Sequence, residues 1–142
     1  MTEAAVDGAA RIVLDTNIVL DLLVFADAAT VPLRDALQTG RLQWVATAPM
    51  RDELERVLAY PQIAKRLAFY ALSAEQVLAA RDAQVQTVDV PPKAGVTCKD
   101  PDDQKFIDLA VAQRCLVLSK DHAVLCMAKR LLALGSTARA AI

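Results

Sequence analysis

The stretch Arg11-Ile-Val-Leu-Asp-Thr-Asn17, "RIVLDTN", decides how the rest of the chain is read. Three apolar residues run directly into a carboxylate, and the apolar pattern resumes with Ile18, Val19, Leu20, Leu22 and Leu23. Asp, Thr and Asn are all helix N-cap residues, so the stretch reads at the least as a strand joined to a helix. The sharper reading is that Asp15 ends the strand because a metal ion is held there.

Working outward, helical patterning covers Ile18 to Phe25 and Pro32 to Thr39, where Gly40 is a helix stop. "LQWVAT", Leu42 to Thr47, reads as a second strand. Leu54, Val57 and Leu58 recur at helical spacing after Pro49, and Ile63, Leu67 and Tyr70 suggest a further short helix. Ser73 and Gln76 match a capping box for a helix to about Ala83. "VQTVDV", Val85 to Val90, alternates as a strand and stops at Pro91-Pro92. A helix is expected over Asp102 to Gln113, then a strand "CLVLS", then a last helix from near His122.

Strands alternating with helices favour an α/β fold with a mostly parallel central sheet flanked by helices. Residues 1–10, without periodicity, are expected to form a loose arm, and residues 11–142 one domain. The chain of 142 residues is 55% hydrophobic with positive mean hydropathy, enough to build one core. No apolar run approaches the roughly 20 residues that span a bilayer. "MTEAAVDGAA" is unlike a signal peptide, so no membrane partner and a cytoplasmic location are expected. Cys98, Cys115 and Cys126 lack C-x-x-C spacing and read as reduced thiols. With 16 basic against 17 acidic residues, nucleic-acid binding would need a local basic patch.

The acids carry the chemistry. Asp15 ends the first strand, Glu53 lies early in the helix after the second, Asp100, Asp102 and Asp103 crowd one helix start, and Asp121 follows "CLVLS". Each alone is a cap or a solvated charge. Gathered at the carboxyl edge of one sheet they would repel each other unless a cation intervenes. All-oxygen ligation suits Mg²⁺ or Mn²⁺, and one histidine, His122, does not build a zinc site. No phosphate loop, G-x-G-x-x-G or G-x-S-x-G elbow is present, which leaves magnesium-type phosphoryl chemistry as the leading class.

The chain resembles the PIN domain, closest to the bacterial group of toxin components of toxin-antitoxin pairs. The matching pieces are "IVLDTNIVLDLL", "APMRDELERVL" and "DPDDQKFIDLAVAQRCLVLSKDHAVL", in that order, between Arg11 and about Leu132. The resemblance implies an α/β three-layer sandwich and a metal-dependent ribonuclease whose acids fall on Asp15, Glu53, Asp103 and Asp121. Asp100 is implied as an outer metal group, and Asp102 is read as solvated. Thr16, Asn17 and Ser119 match the residues beside the first and last aspartates, as groups that orient water or phosphate or fix the loop. Many relatives read Thr-Gly-Asp-Lys-Asp-Leu-Leu where this chain has "SKDHAVL", so Ala123 replaces their second aspartate while Asp121 is retained.

One or two Mg²⁺ or Mn²⁺ ions on these acids would acidify a water and shield the scissile phosphate for in-line attack. Arg51, Lys99, Lys105 and Lys120 are the candidates for gripping the nucleic-acid backbone. RNA as substrate, an antitoxin partner and a homodimer follow from the resemblance alone. Trp44, Phe69 and Tyr70 read as core or interface. The rivals are a non-catalytic PIN-like module that holds an ion or a protein partner, and another magnesium phosphotransfer fold. A phosphatase would want an aspartate where Asn17 stands, and a receiver domain an acidic pair at the first strand.

Overall fold

The computed structural model describes residues 10–142, so the expected arm over residues 1–10 lies outside the described residues except for Ala10, which opens the first strand. Five strands form one sheet: β1 (Ala10–Leu14), β2 (Leu42–Ala46), β3 (Val85–Thr87), β4 (Leu116–Leu118) and β5 (Thr137–Arg139). Their order is β3-β2-β1-β4-β5 and every pairing is parallel. The helices are α1 (Thr16–Leu23), α2 (Val31–Gln38), α3 (Ala48–Leu58), α4 (Pro61–Phe69), α5 (Ala74–Asp82), α6 (Gln104–Gln113), α7 (His122–Leu125) and α8 (Ala128–Leu132).

The period-2 geometry of a strand sends successive side chains to opposite faces. In β1, Ile12 and Leu14 therefore enter one core with Ile18, Leu22, Trp44, Leu54, Leu58 and Leu118. Val13 enters the other, with Val45, Phe106, Ile107, Leu109, Val117 and Leu131. Both faces are covered, which is why β1 reads as an unbroken apolar run. Trp44 is core, whereas Phe69 is 83% exposed and stands edge-to-face on Tyr70 at 5.2 Å between ring centroids. The apolar residues of α1, Ile18, Val19, Leu20 and Leu22, are buried in the same core as Ile12 and Leu14. Among the described residues no single helix is long and apolar enough to cross a membrane.

Local chemistry sets most boundaries. Gly40 takes a left-handed φ of 77° just past α2, the conformation that ends a helix at least steric cost. Ser73 and Gln76 form the reciprocal capping box: Ser73 Oγ accepts from Gln76 N at 3.1 Å, and Gln76 Oε1 accepts from Ser73 N at 2.8 Å.

Four elements differ from expectation. The strand expected to Val90 stops at Thr87: Val88 N still donates to Ala46 O at 2.9 Å, but the chain then leaves the sheet ahead of the two prolines. The helix expected from Asp102 begins as a 3₁₀ turn, Pro101–Asp103, because Asp100 Oδ1 accepts from Asp102 N at 3.0 Å and tightens the entry. The last helix is two short ones, α7 and α8, broken at Cys126–Met127. Strand β5 was not anticipated, since it has three residues of which only Ala138 is buried, too few for a periodic signal.

Removing the cap oxygen in Ser73→Ala leaves the α5 N-terminus short of an acceptor and is expected to lower stability by about 1 kcal/mol. A urea midpoint unchanged from the parent chain would refute this role for the box.

Candidate metal centre

In this sheet the chain leaves β1 toward β2 and β3 on one side, while β4 and β5 lie on the other. The switch falls between β1 and β4, where ligands enter open parallel sheets outside the strand carboxyl ends. Val13 and Leu14 lie in register with Val117 and Leu118, and Asp15 N donates to Leu118 O at 2.9 Å. Asp15 is thereby fixed beside the β4–α7 loop despite 104 residues of separation from Ser119.

The loops are tied side chain to side chain. Ser119 Oγ donates to Asp15 Oδ2 at 2.5 Å and accepts from Asp121 N at 2.9 Å. Asp121 Oδ1 accepts from Ala123 N at 2.9 Å and caps α7. Asn17 Oδ1 accepts from Lys120 N at 3.4 Å. From α3, Glu53 Oε2 accepts from Thr16 Oγ1 at 2.5 Å, and Lys105 forms an ion pair with Glu53 Oε1.

Asp100, Asp103 and Asp121 bring one carboxylate oxygen each within 4.8 Å of one another. Asp103 is 8% exposed, and its buried Oδ2 has no hydrogen-bond partner among the described residues. Burial first, then a proton-sharing contact with Asp121 and the charges of Asp15, Asp121 and Asp100, push the Asp103 carboxyl up to about 8. The same contact, with the Ala123 N–H, holds Asp121 below the usual carboxylate range. Asp15, 4% exposed, is raised chiefly by burial, opposed by its bond from Ser119 and reinforced by Glu53 and Asp121. Three carboxylates gathered this closely, one of them with a buried oxygen that no described residue partners, fit a hard divalent cation that takes oxygen donors.

The acids singled out from sequence thus meet at one edge, but not as one equidistant set. Asp100, Asp103 and Asp121 form the tight group, with Asp15 close enough for its charge to raise Asp103. Glu53 stands beside Asp15, engaged by Thr16 and Lys105, and Asp102 is exposed. Of the candidate cations, Lys99 is exposed, while Arg51 is held by Asp82, its Nε donating to Oδ1 at 3.0 Å and its Nη2 to Oδ2 at 2.9 Å. Lys120 pairs with Asp21 at 2.7 Å.

Asp21 escaped the sequence reading. It is a buried acid inside the apolar stripe of α1, and that break in the stripe was the available signal. Arg81, also buried, donates Nη1 to Asp82 Oδ1 at 2.9 Å. Arg56 and Tyr60 were missed as well. With Glu53, Asp100, Asp103 and Lys105 they line a cleft of about 430 Å³ beside the acids. Their spacing from Glu53, three and seven residues on, marks them as one helical stripe. A cavity of about 570 Å³ lies at the opposite, amino-terminal edge of the sheet, lined by Arg11, Leu42 and Arg114 among others, remote from the acids.

A model of the PIN domain matches residues 11–123. Among solved structures, the fold is similar to a chain in VapBC2 from Rickettsia felis bound to a DNA fragment from their promoter. The TM-score is 0.60 at 12% identity, covering 90% of this chain and 98% of that one. At that identity the likeness concerns the fold. A comparison with curated proteins finds no match.

The raised Asp103 pKa has a consequence for stability. Between pH 4 and 8 the folded chain keeps a proton on Asp103 that the unfolded chain releases, so this contribution, complete at low pH, is lost as pH rises toward 8. The slope is at most of order 1 kcal/mol per pH unit. In EDTA, the urea midpoint is expected to fall from pH 5 to pH 8, and to fall less in Asp103→Asn. Identical slopes in the two proteins would contradict the assignment.

Proposed function

Because the chain belongs to the PIN-domain family, we propose that it is a metal-dependent endoribonuclease. The observation that carries this reading is the set of Asp100, Asp103 and Asp121 carboxylates beside Asp15, with an unpartnered buried oxygen on Asp103. Asp15, Glu53, Asp103 and Asp121 are the acids assigned to catalysis. These four, with Asp100, are assigned to holding Mg²⁺ or Mn²⁺. An ion held there would supply positive charge to acidify a water and to offset the charge of the phosphate.

The remaining steps belong to the chain itself. The Asp15 carboxylate is held in one orientation by Ser119, whose hydroxyl also receives the Asp121 N–H, so one side chain positions two acids. Thr16 orients Glu53, and Lys105 balances its charge until phosphate arrives and competes for that cation. Asn17 joins the loops after β1 and β4 through the Lys120 N–H. The pair formed by Asp21 and Lys120 holds the side chain of Lys120 against α1, so among the four cations first considered Lys99 and Lys105 are the better placed to meet RNA.

The wider reading is a toxin restrained by an antitoxin, acting in the cytoplasm as a homodimer. The motif resemblance supports the toxin assignment, and the fold shared with a chain of VapBC2 supports the antitoxin partner. Phe69 and Tyr70, exposed at the end of α4, offer apolar surface for such a contact.

The test is cleavage of labelled RNA and DNA by the purified chain with Mg²⁺, Mn²⁺ or EDTA, beside Asp15→Asn. RNA is expected to be cut only with metal, and Asp15→Asn to be slower by at least about 100-fold, the scale of removing a group that acts in the transition state. Cutting that survives EDTA or the substitution would sink the proposal. Absence of cutting by a folded, ion-binding chain would instead support a PIN-like binding module.

A further inference from the structure

The cleft beside the acids is also lined by two side chains that the proposed hydrolysis does not use, Arg56 and Tyr60. Tyr60 is 48% exposed and lies at the junction of α3 and α4. Its backbone is fixed there: the Tyr60 N–H donates to Val57 O at 3.0 Å, and its carbonyl accepts from Ile63 N at 2.9 Å and Ala64 N at 2.8 Å. An aromatic ring is thus mounted on a rigid corner and left in solvent, where it adds nothing to either core.

Arg56 is exposed, and among the described residues it forms no ion pair, whereas Lys105 pairs with Glu53, Arg51 with Asp82 and Lys120 with Asp21. Within the cleft it is the guanidinium left open to an anion. The lining carries both signs: Asp100, Asp102 and Asp103 repel phosphate, and Arg56 attracts it.

We propose that the Arg56–Tyr60 wall of this cleft is a subsite for one unpaired nucleotide of the RNA, with Tyr60 stacking on its base and Arg56 pairing with a neighbouring phosphate. The choice of RNA rests on the nuclease reading above. The preference for an unpaired nucleotide does not, because a base stacked within a duplex has no free face to offer a tyrosine ring. A cleft of about 430 Å³ has the capacity of a small-molecule site, enough for one extruded nucleotide. Val57, on the same stripe of α3, adds an apolar side chain to the lining.

The experiment follows binding separately from cutting. Full-length protein carrying Asp15→Asn, with Mg²⁺, is titrated into a short fluorescein-labelled RNA of mixed sequence, single-stranded or annealed to its complement, and anisotropy is read. Tyr60→Ala, Tyr60→Phe and Arg56→Gln are added on that background. The single strand is expected to bind more tightly than the duplex. Tyr60→Ala should weaken it by about 10-fold, within the range for loss of one base–aromatic stack, and Tyr60→Phe by less than about 2-fold. Arg56→Gln should weaken binding and flatten its dependence on salt.

Equal binding of duplex and single strand, no binding of the single strand, indifference to Tyr60→Ala, or a loss in Tyr60→Phe as large as in Tyr60→Ala each overturns the subsite. The two proposals fail separately. Tyr60-dependent binding by a parent chain that cuts no RNA removes the nuclease and keeps the subsite, whereas cutting with binding indifferent to Tyr60 does the reverse.

Discussion

The pairing of β1 with β4 is the constraint on which the site depends. It sets Leu14 opposite Leu118, and the next residue of each strand, Asp15 and Ser119, then meets across the sheet edge at 2.5 Å. A one-residue slip would reverse the faces of Ile12, Val13 and Leu14 and separate the carboxylate from its hydroxyl. The two apolar cores oppose that slip, because each of these side chains is buried on its own face. Hydrophobic burial thus fixes the register, and the register fixes the polar geometry.

That geometry concentrates like charge. Asp15 and Asp103 both lie above the ordinary carboxylate range, and burial is the leading cause for each. The fold reduces the repulsion in three ways: Lys105 stands on Glu53, Ser119 donates to Asp15, and the cap of α7 satisfies Asp121. Among the described residues Asp103 has no such partner for Oδ2. A buried acceptor left unpaired is costly, and a protein retains one where a ligand satisfies it. The site is therefore strained electrostatically in the direction that favours cation binding.

The surroundings of the acids are also asymmetric. Three of the basic side chains are tied to carboxylates: Lys105 to Glu53, Lys120 to Asp21 and Arg51 to Asp82. These pairs are partly exposed and individually weak, so they are poor evidence for stability. Their effect is spatial: of the three, Lys105 lines the cleft, and its pairing with Glu53 leaves Arg56 there as the open guanidinium. In a chain with nearly balanced charge, local pairing decides where an anion is received.

The sequence by itself determined the strand–helix alternation, the carboxyl-edge position of Asp15, Glu53, Asp103 and Asp121, the capping box at Ser73 and the stop at Gly40. Each is written in local periodicity or in the stereochemistry of one residue. Asp100 could be read from its motif as an outer group, yet only the folded 3₁₀ turn at Pro101–Asp103 brings it within 4.8 Å of both Asp103 and Asp121. Tertiary structure alone decided the fifth strand, the split of the last helix, the pairing of Asp21 with Lys120 and the cleft shared by Arg56 and Tyr60. The physical reason is common to these features: each depends on which distant side chain fills the space opposite. Packing settles that question, and no local pattern records it.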